Sequence, residues 1–152
     1  MKITADQIRK LKEETGAPVM RAKKVLEEFG GDMKKATELL RKEGFEKVEK
    51  RAGRATSQGI IEAYVHHSGK IASLVELLCE TDFVARNELF RELAHNLALQ
   101  VASIEAKDAD DLLKQDYIKD PSKKIEELVK DVITKTGENI NVGRVIRVGL
   151  GK

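Results

Sequence analysis

The chain has one cysteine, Cys79, no tryptophan and two prolines among its 152 residues. A single cysteine excludes an internal disulfide. Aromatic residues make up 4% of the chain, which leaves few platforms for stacking single-stranded bases. No apolar run approaches the roughly 20 residues of a membrane span. Met1-Lys2-Ile3-Thr4 leads at once into a charged helical pattern, so no secretory leader is expected. A charge excess is also missing. Lys and Arg number 28 against 26 Asp and Glu, a formal net charge of +2, which gives no global attraction to nucleic acid. Three histidines and the one cysteine show no ligand spacing, so neither a metal nor a cofactor is expected. Together these absences point to a cytoplasmic protein that binds neither membrane nor nucleic acid.

What is present is 41% hydrophobic and 36% charged residues, the composition of a soluble, helix-rich chain with enough length for a real core. Thr4-Ala5-Asp6-Gln7 has the form of a capping box that opens a first helix with Ile8 and Leu11 on one face. Thr15-Gly16-Ala17 breaks it, and Pro18 suits the start of a second helix. That helix sets Val19, Ala22, Val25, Leu26 and Phe29 against Arg21, Lys23, Lys24 and Glu27. Gly30-Gly31 ends it. Asp32 caps a third helix with Met33, Ala36, Leu39 and Leu40 inward, which Gly44 is expected to close. Residues 1–46 therefore read as a small three-helix, UBA-like bundle, suited to docking a partner, with a mere helical cap as the plainer reading. Residues 47–58 are polar and basic, with Lys50, Arg51 and Arg54, and read as a linker.

Residues 59–152 read as an α+β core. A strand over 59–66, a Ser68-Gly69 turn and a return strand over 71–79 form a hairpin. Alternation puts Ile61, Ala63 and Val65 on one face, with Ile71, Ser73, Val75, Leu77 and Cys79 on one face of the partner strand. Leu89, Leu93, Leu97, Val101 and Ile104 recur at helical spacing after Asn87, a good N-cap. Asp120-Pro121 is expected to start a last helix with Ile125, Leu128, Val129, Val132 and Ile133 inward, stopped by Gly137. A final strand covers 142–148, with Arg144 and Arg147 marking an exposed side. The expected core is a three-stranded antiparallel sheet packed with helices.

Between the second strand and the following helix lies Glu80-Thr81-Asp82-Phe83-Val84-Ala85-Arg86-Asn87. A large ring, Phe83, stands beside an acid, Asp82, in a corner between two rigid elements. Spacing alone leaves two readings: Phe83 as a lid on the core, or Phe83 as an anchor for another protein. Cys79 as a nucleophile would need an activated thiolate and an orienting third group, and the sequence shows neither.

The corner, with Cys79 before it, resembles the signature of bacterial translation elongation factor Ts. Thr15-Gly16-Ala17, Lys23-Lys24-Val25-Leu26 and Gly31-Asp32-Met33-Lys34-Lys35-Ala36 are similar to the N-terminal module of that family. Arg54 with Gly59, and Gly137-Glu138-Asn139-Ile140, fit it too, and the four motifs run in order along the chain. The resemblance implies guanine-nucleotide exchange on elongation factor Tu, with no covalent chemistry of its own. It implies that Thr81, Asp82, Phe83 and Val84 dock beside the nucleotide site, Asp82 orienting the loop and Phe83 wedging in, so that Mg²⁺ and GDP leave and GTP enters. The GDP-bound and the nucleotide-free partner would both be bound, with Arg21, Lys23, Lys24 and Arg54 as possible further contacts. Arg21-Ala22 stand where the family often has Asp-Cys, and Leu78 where many members have Asn. Longer members carry a second core half and a C-terminal module, so the resemblance implies a homodimer here. A stand-alone peptide-binding bundle, an enzyme using Cys79 and an RNA binder are the competing classes.

Overall fold

In the computed structural model, which describes residues 2–152, the chain opens with three helices: α1 (Ala5–Thr15), α2 (Val19–Glu28) and α3 (Met33–Arg51). A hairpin of β1 (Gln58–Val65) and β2 (Ile71–Cys79) follows, then the short α4 (Asp82–Ala85) and the long α5 (Glu88–Ser103). The chain continues through α6 (Ala109–Lys114), β3 (Asp116–Tyr117), β4 (Asp120–Lys124), α7 (Ile125–Thr136) and β5 (Ile140–Gly149). This is the α+β arrangement, a three-stranded antiparallel sheet in the order β1-β2-β5 with helices against it.

The capping box forms as the sequence requires. Thr4 N–H donates to Gln7 Oε1 at 2.9 Å, and Gln7 N–H to Thr4 Oγ1 at 3.2 Å. Leu11, Ala22, Val25, Leu26, Ala36 and Leu40 close a first, separate core between α1, α2 and α3. Asp32 caps α3 through Lys35 N–H at 3.2 Å.

The third helix does not stop at Gly44; it runs on to Arg51, so the first five residues of the span 47–58 are helical. Gly44 is buried at a helix crossing. A Cβ there would lie 2.7 Å from Thr134 Cγ2 on α7. The missing side chain therefore serves close approach rather than a helix end. Beyond the crossing, Val48 joins the main core. Arg41 pairs with Asp131 at 2.9 Å, and Arg51 Nη1 donates to Ile133 O at 3.1 Å. The helical bundle is thus tied to the core through α3 and α7.

In the main core Phe90, Leu97, Val101, Leu112 and Ile125 are fully buried, with Val75, Leu77 and Cys79 from β2. Each large side chain of this kind contributes about 1.5–3 kcal/mol when withdrawn from water. Phe90, with the alanines 94, 98 and 102, sets the buried face of α5, whereas Leu89 and Ile104 are exposed. On the hairpin, the face that packs inward carries Ile60 and Tyr64 from β1. Register pairs Tyr64 with Ser73 and Ile60 with Leu77, so Ile61 and Val65 share the opposite face with Leu74. Ile61, Ala63 and Val65 thus share one face, as the alternation requires, and that face is the outer one. Gly59 permits the entry to this hairpin: its φ is +153°, and a Cβ would sit 2.1 Å from Leu77 O.

The last helix begins later than Asp120-Pro121. Asp120 spends its carboxylate on Ser122, accepting from the hydroxyl at 2.6 Å and from N–H at 3.2 Å, in a small β3–β4 hairpin. Helix α7 starts at Ile125, after Lys124. The hairpin is held by the buried Gln100, whose amide donates to Asp116 O at 3.0 Å and accepts from Ile118 N–H at 3.0 Å.

Candidate functional site

Strand β2 delivers Cys79 into the core and stops, and Thr81 caps the four-residue α4, accepting from Val84 N–H at 3.3 Å. Inside this single turn the side chains divide. Val84 and Ala85 are buried, closing the core below. Phe83 is 87% exposed, so it is no lid. Asp82 also faces solvent, 2.6 Å from Arg86 Nη2 one turn on. An exposed i,i+4 pair of this kind adds little stability. Asn87 starts α5 directly afterwards, accepting from Leu89 N–H at 2.8 Å. The ring is therefore carried on a short segment fixed at both ends.

The mount beneath Thr81 is built from two distant parts of the chain. Glu138, in the turn after α7, takes Thr81 N–H on one carboxylate oxygen at 3.0 Å and the Thr81 hydroxyl on the other at 2.6 Å. The thiol of Cys79 donates to Thr81 O at 3.1 Å. Burial, with Glu138 next, pushes the Cys79 thiol above its usual range, so it stays protonated at neutral pH. Glu80 accepts from Asn139 N–H at 2.8 Å, and Arg54 approaches it at 3.5 Å. The buried Asn139 donates its amide to Ala52 O at 3.3 Å and to Arg54 O at 2.9 Å. Three chain segments thus meet under one exposed ring.

Of the other expected contact residues, Arg54 belongs to this mount, while Arg21, Lys23 and Lys24 lie on α2. Arg21 forms a two-pronged pair with Glu43 of α3, one contact at 3.0 Å. The Arg21 hydrogen bond holds the Glu43 carboxyl below the usual range. Lys23 and Lys24 line a shallow groove with Met20, Arg21 and Glu27, and Met20 is 75% exposed there. A further apolar surface was not anticipated: Ile61, Val65, Leu74, Ile146 and Val148 are exposed on the outer face of the sheet. Its signal was in the alternation, where both faces of β1 carry aliphatic side chains. The role of Glu138 and Asn139 was also missed, although their motif stood out.

His66 and His67 stack at 4.0 Å between ring centroids, at the hairpin end beside Ser68. Among the described residues no three His, Cys, Asp or Glu side chains are grouped to hold a metal ion. Nor is any helix among them long and apolar enough to cross a membrane.

Fold and site together define an α+β protein that presents an exposed aromatic ring on a turn held by hydrogen bonds. A family profile described as Elongation factor TS matches residues 80–151. The Elongation factor Ts of Thermotoga petrophila is 42% identical over 195 aligned residues, which cover 100% of this chain and 98% of that protein. That of Nitratidesulfovibrio vulgaris is 40% identical over 196, covering 99% of this chain and 98% of the relative. In Clostridium botulinum the relative is 42% identical over 150 residues, 99% of this chain but 49% of the longer protein. The chain belongs to the elongation factor Ts family.

Proposed function

We propose that this chain is a cytoplasmic guanine-nucleotide exchange factor for elongation factor Tu in translation elongation. The observation that carries the reading is the pair of neighbours Phe83 and Val84, one fully presented to solvent and the other sealed into the core. Thr81 and Asp82 flank the ring on the contact surface, whereas Val84, expected there from the resemblance, is buried and serves the core. A ring on a pre-ordered mount loses little conformational freedom on docking, so its burial is available to displace whatever occupies the partner's site. Phe83 enters beside the nucleotide, Asp82 orients the turn, and the elements that hold Mg²⁺ and the phosphates are pushed aside. GDP leaves and GTP takes its place. The GDP-bound and the nucleotide-free partner are both bound, and the coupling is reciprocal: the factor by which this chain weakens GDP is the factor by which GDP weakens this chain. No acid, base or cofactor of its own is required.

Residues 1–46 act as the docking module, gripping the same partner through the α2 surface of Met20, Lys23 and Lys24. Residues 47–58 connect it to the core over 59–152, and Arg54 contributes through the mount. The exposed sheet face supports a homodimer, since Ile61, Val65, Leu74, Ile146 and Val148 share an apolar face that a second copy would cover across a two-fold axis. The direct test is release of a fluorescent GDP analogue from elongation factor Tu in excess unlabelled GDP. Acceleration by this chain supports the reading, and an unchanged rate contradicts it.

A further inference from the structure

The structure assigns Glu138 as a positioning residue for the exposed ring of Phe83. The assignment rests on the exchange reading and deepens it. The hydrogen bonds of the Glu138 carboxylate go to Thr81, not to Asp82 or Phe83. It takes up both donors of Thr81, at 3.0 and 2.6 Å. Thr81 is the N-cap of α4, and α4 is one turn long. A four-residue helix has too few internal hydrogen bonds to fix its own direction, so the cap and what holds the cap decide where residue 83 points. Val84 and Ala85 fix the turn's depth against the core. Asn87, as the cap of α5, holds the far end of the turn, and the two bonds to Glu138 hold the end that carries the cap of α4.

The holder is itself held. Asn139, the next residue, is buried and bonds to Glu80, Ala52 and Arg54. Ile140 is buried in the main core, paired across the sheet with Cys79. A carboxylate at this point is therefore a fixed acceptor, and bonds to an ionised acceptor are the stronger kind. Removing it leaves the hydrophobic core intact, since no buried apolar contact is lost. What is lost is the orientation of the turn.

The test is the rate of GDP release from the GTPase, titrated with chain so that the maximal rate and the half-saturating concentration separate. Glu138→Ala is expected to lower the maximal rate about tenfold and to move half-saturation less than twofold. Glu138→Gln keeps one acceptor and is expected to fall between it and the wild type. Should Glu138→Ala not fold, Glu138→Gln decides. In a Phe83→Ala background, Glu138→Ala is expected to add less than a twofold further loss, because it acts through that ring. A folded Glu138→Gln or Glu138→Ala variant with the wild-type maximal rate overturns the assignment, and so does a loss that multiplies fully with that of Phe83→Ala. If the wild-type chain does not accelerate release, the exchange reading itself fails; if it does and Phe83→Ala keeps the wild-type rate, the role of the ring fails, and the assignment of Glu138 with it.

Discussion

Phe83 and Val84 are adjacent in sequence and opposite in environment: 87% of the ring is exposed, against 8% of the valine. The turn therefore separates function from stability at single-residue resolution. Phe83→Ala is expected to leave unfolding stability within about 0.5 kcal/mol, as for surface changes generally. Val84→Ala empties core volume and is expected to cost about 1–3 kcal/mol. Urea unfolding of the two variants checks this, and a larger loss for Phe83→Ala contradicts it.

Gly44 gives a prediction whose sign reverses with its neighbour. Alanine is the better helix former by about 1 kcal/mol. A Cβ there meets Thr134 Cγ2 at 2.7 Å, and the Thr134 side chain is set by its own bond to Lys130 O at 2.9 Å. Gly44→Ala is expected to destabilise by about 1–2 kcal/mol, through overpacking. In a Thr134→Ala background the obstacle is gone, and the same change is expected to stabilise. Thermal unfolding of the four proteins measures both signs.

Acid stability should report the Arg21–Glu43 pair. The Glu43 carboxyl is held low, by its hydrogen bond to Arg21 first. A carboxyl depressed in the folded state contributes stability above its unfolded pKa, and the contribution is lost as pH falls through the folded one. Glu43→Gln should therefore be less stable than wild type at about pH 6, and the difference should shrink toward about pH 3. A difference that is constant with pH removes the pair as its cause.

Cys79 should be nearly inert. It is buried, its thiol donates to Thr81 O, and its ionisation is pushed upward. Alkylation at neutral pH is expected to be slow in the native protein and to accelerate in denaturant. Cys79→Ser should exchange nucleotide at nearly the wild-type rate.

The outer sheet face predicts association. Ile146→Glu with Val65→Glu places charges on a surface proposed to be self-paired. Sedimentation should then shift from dimer to monomer at concentrations on the order of tens of micromolar. A wild-type chain that is strictly monomeric there, yet exchanges nucleotide, removes the dimer.

Much of the fold was legible in the sequence. The Thr4–Gln7 box, the Asp32 and Asn87 caps and the aliphatic run of β2 are local signals, and local signals set local structure. The errors arose where a distant contact overrode a local preference. Gly44 looked like a helix end because its reason lies on α7, 90 residues away by the Arg41–Asp131 measure of that interface. Asp120 is a local exception: its carboxylate is taken by Ser122, two residues on, so it caps no helix. That Ile61 and Val65 face outward is not legible locally, because a strand with aliphatic residues on both faces carries no sign of which is covered. The position of the Phe83 corner could be read from its sequence. Its mount could not, since Glu138 lies 57 residues from Thr81.

The central claim is that the exposed ring of Phe83 drives nucleotide release. Release of a fluorescent GDP analogue from elongation factor Tu should be compared for wild type and for Phe83→Ala shown to be folded. An anchor at an interface centre is worth on the order of 2 kcal/mol, so the variant should be about thirtyfold slower at equal concentration. Equal rates for the two proteins would contradict the account.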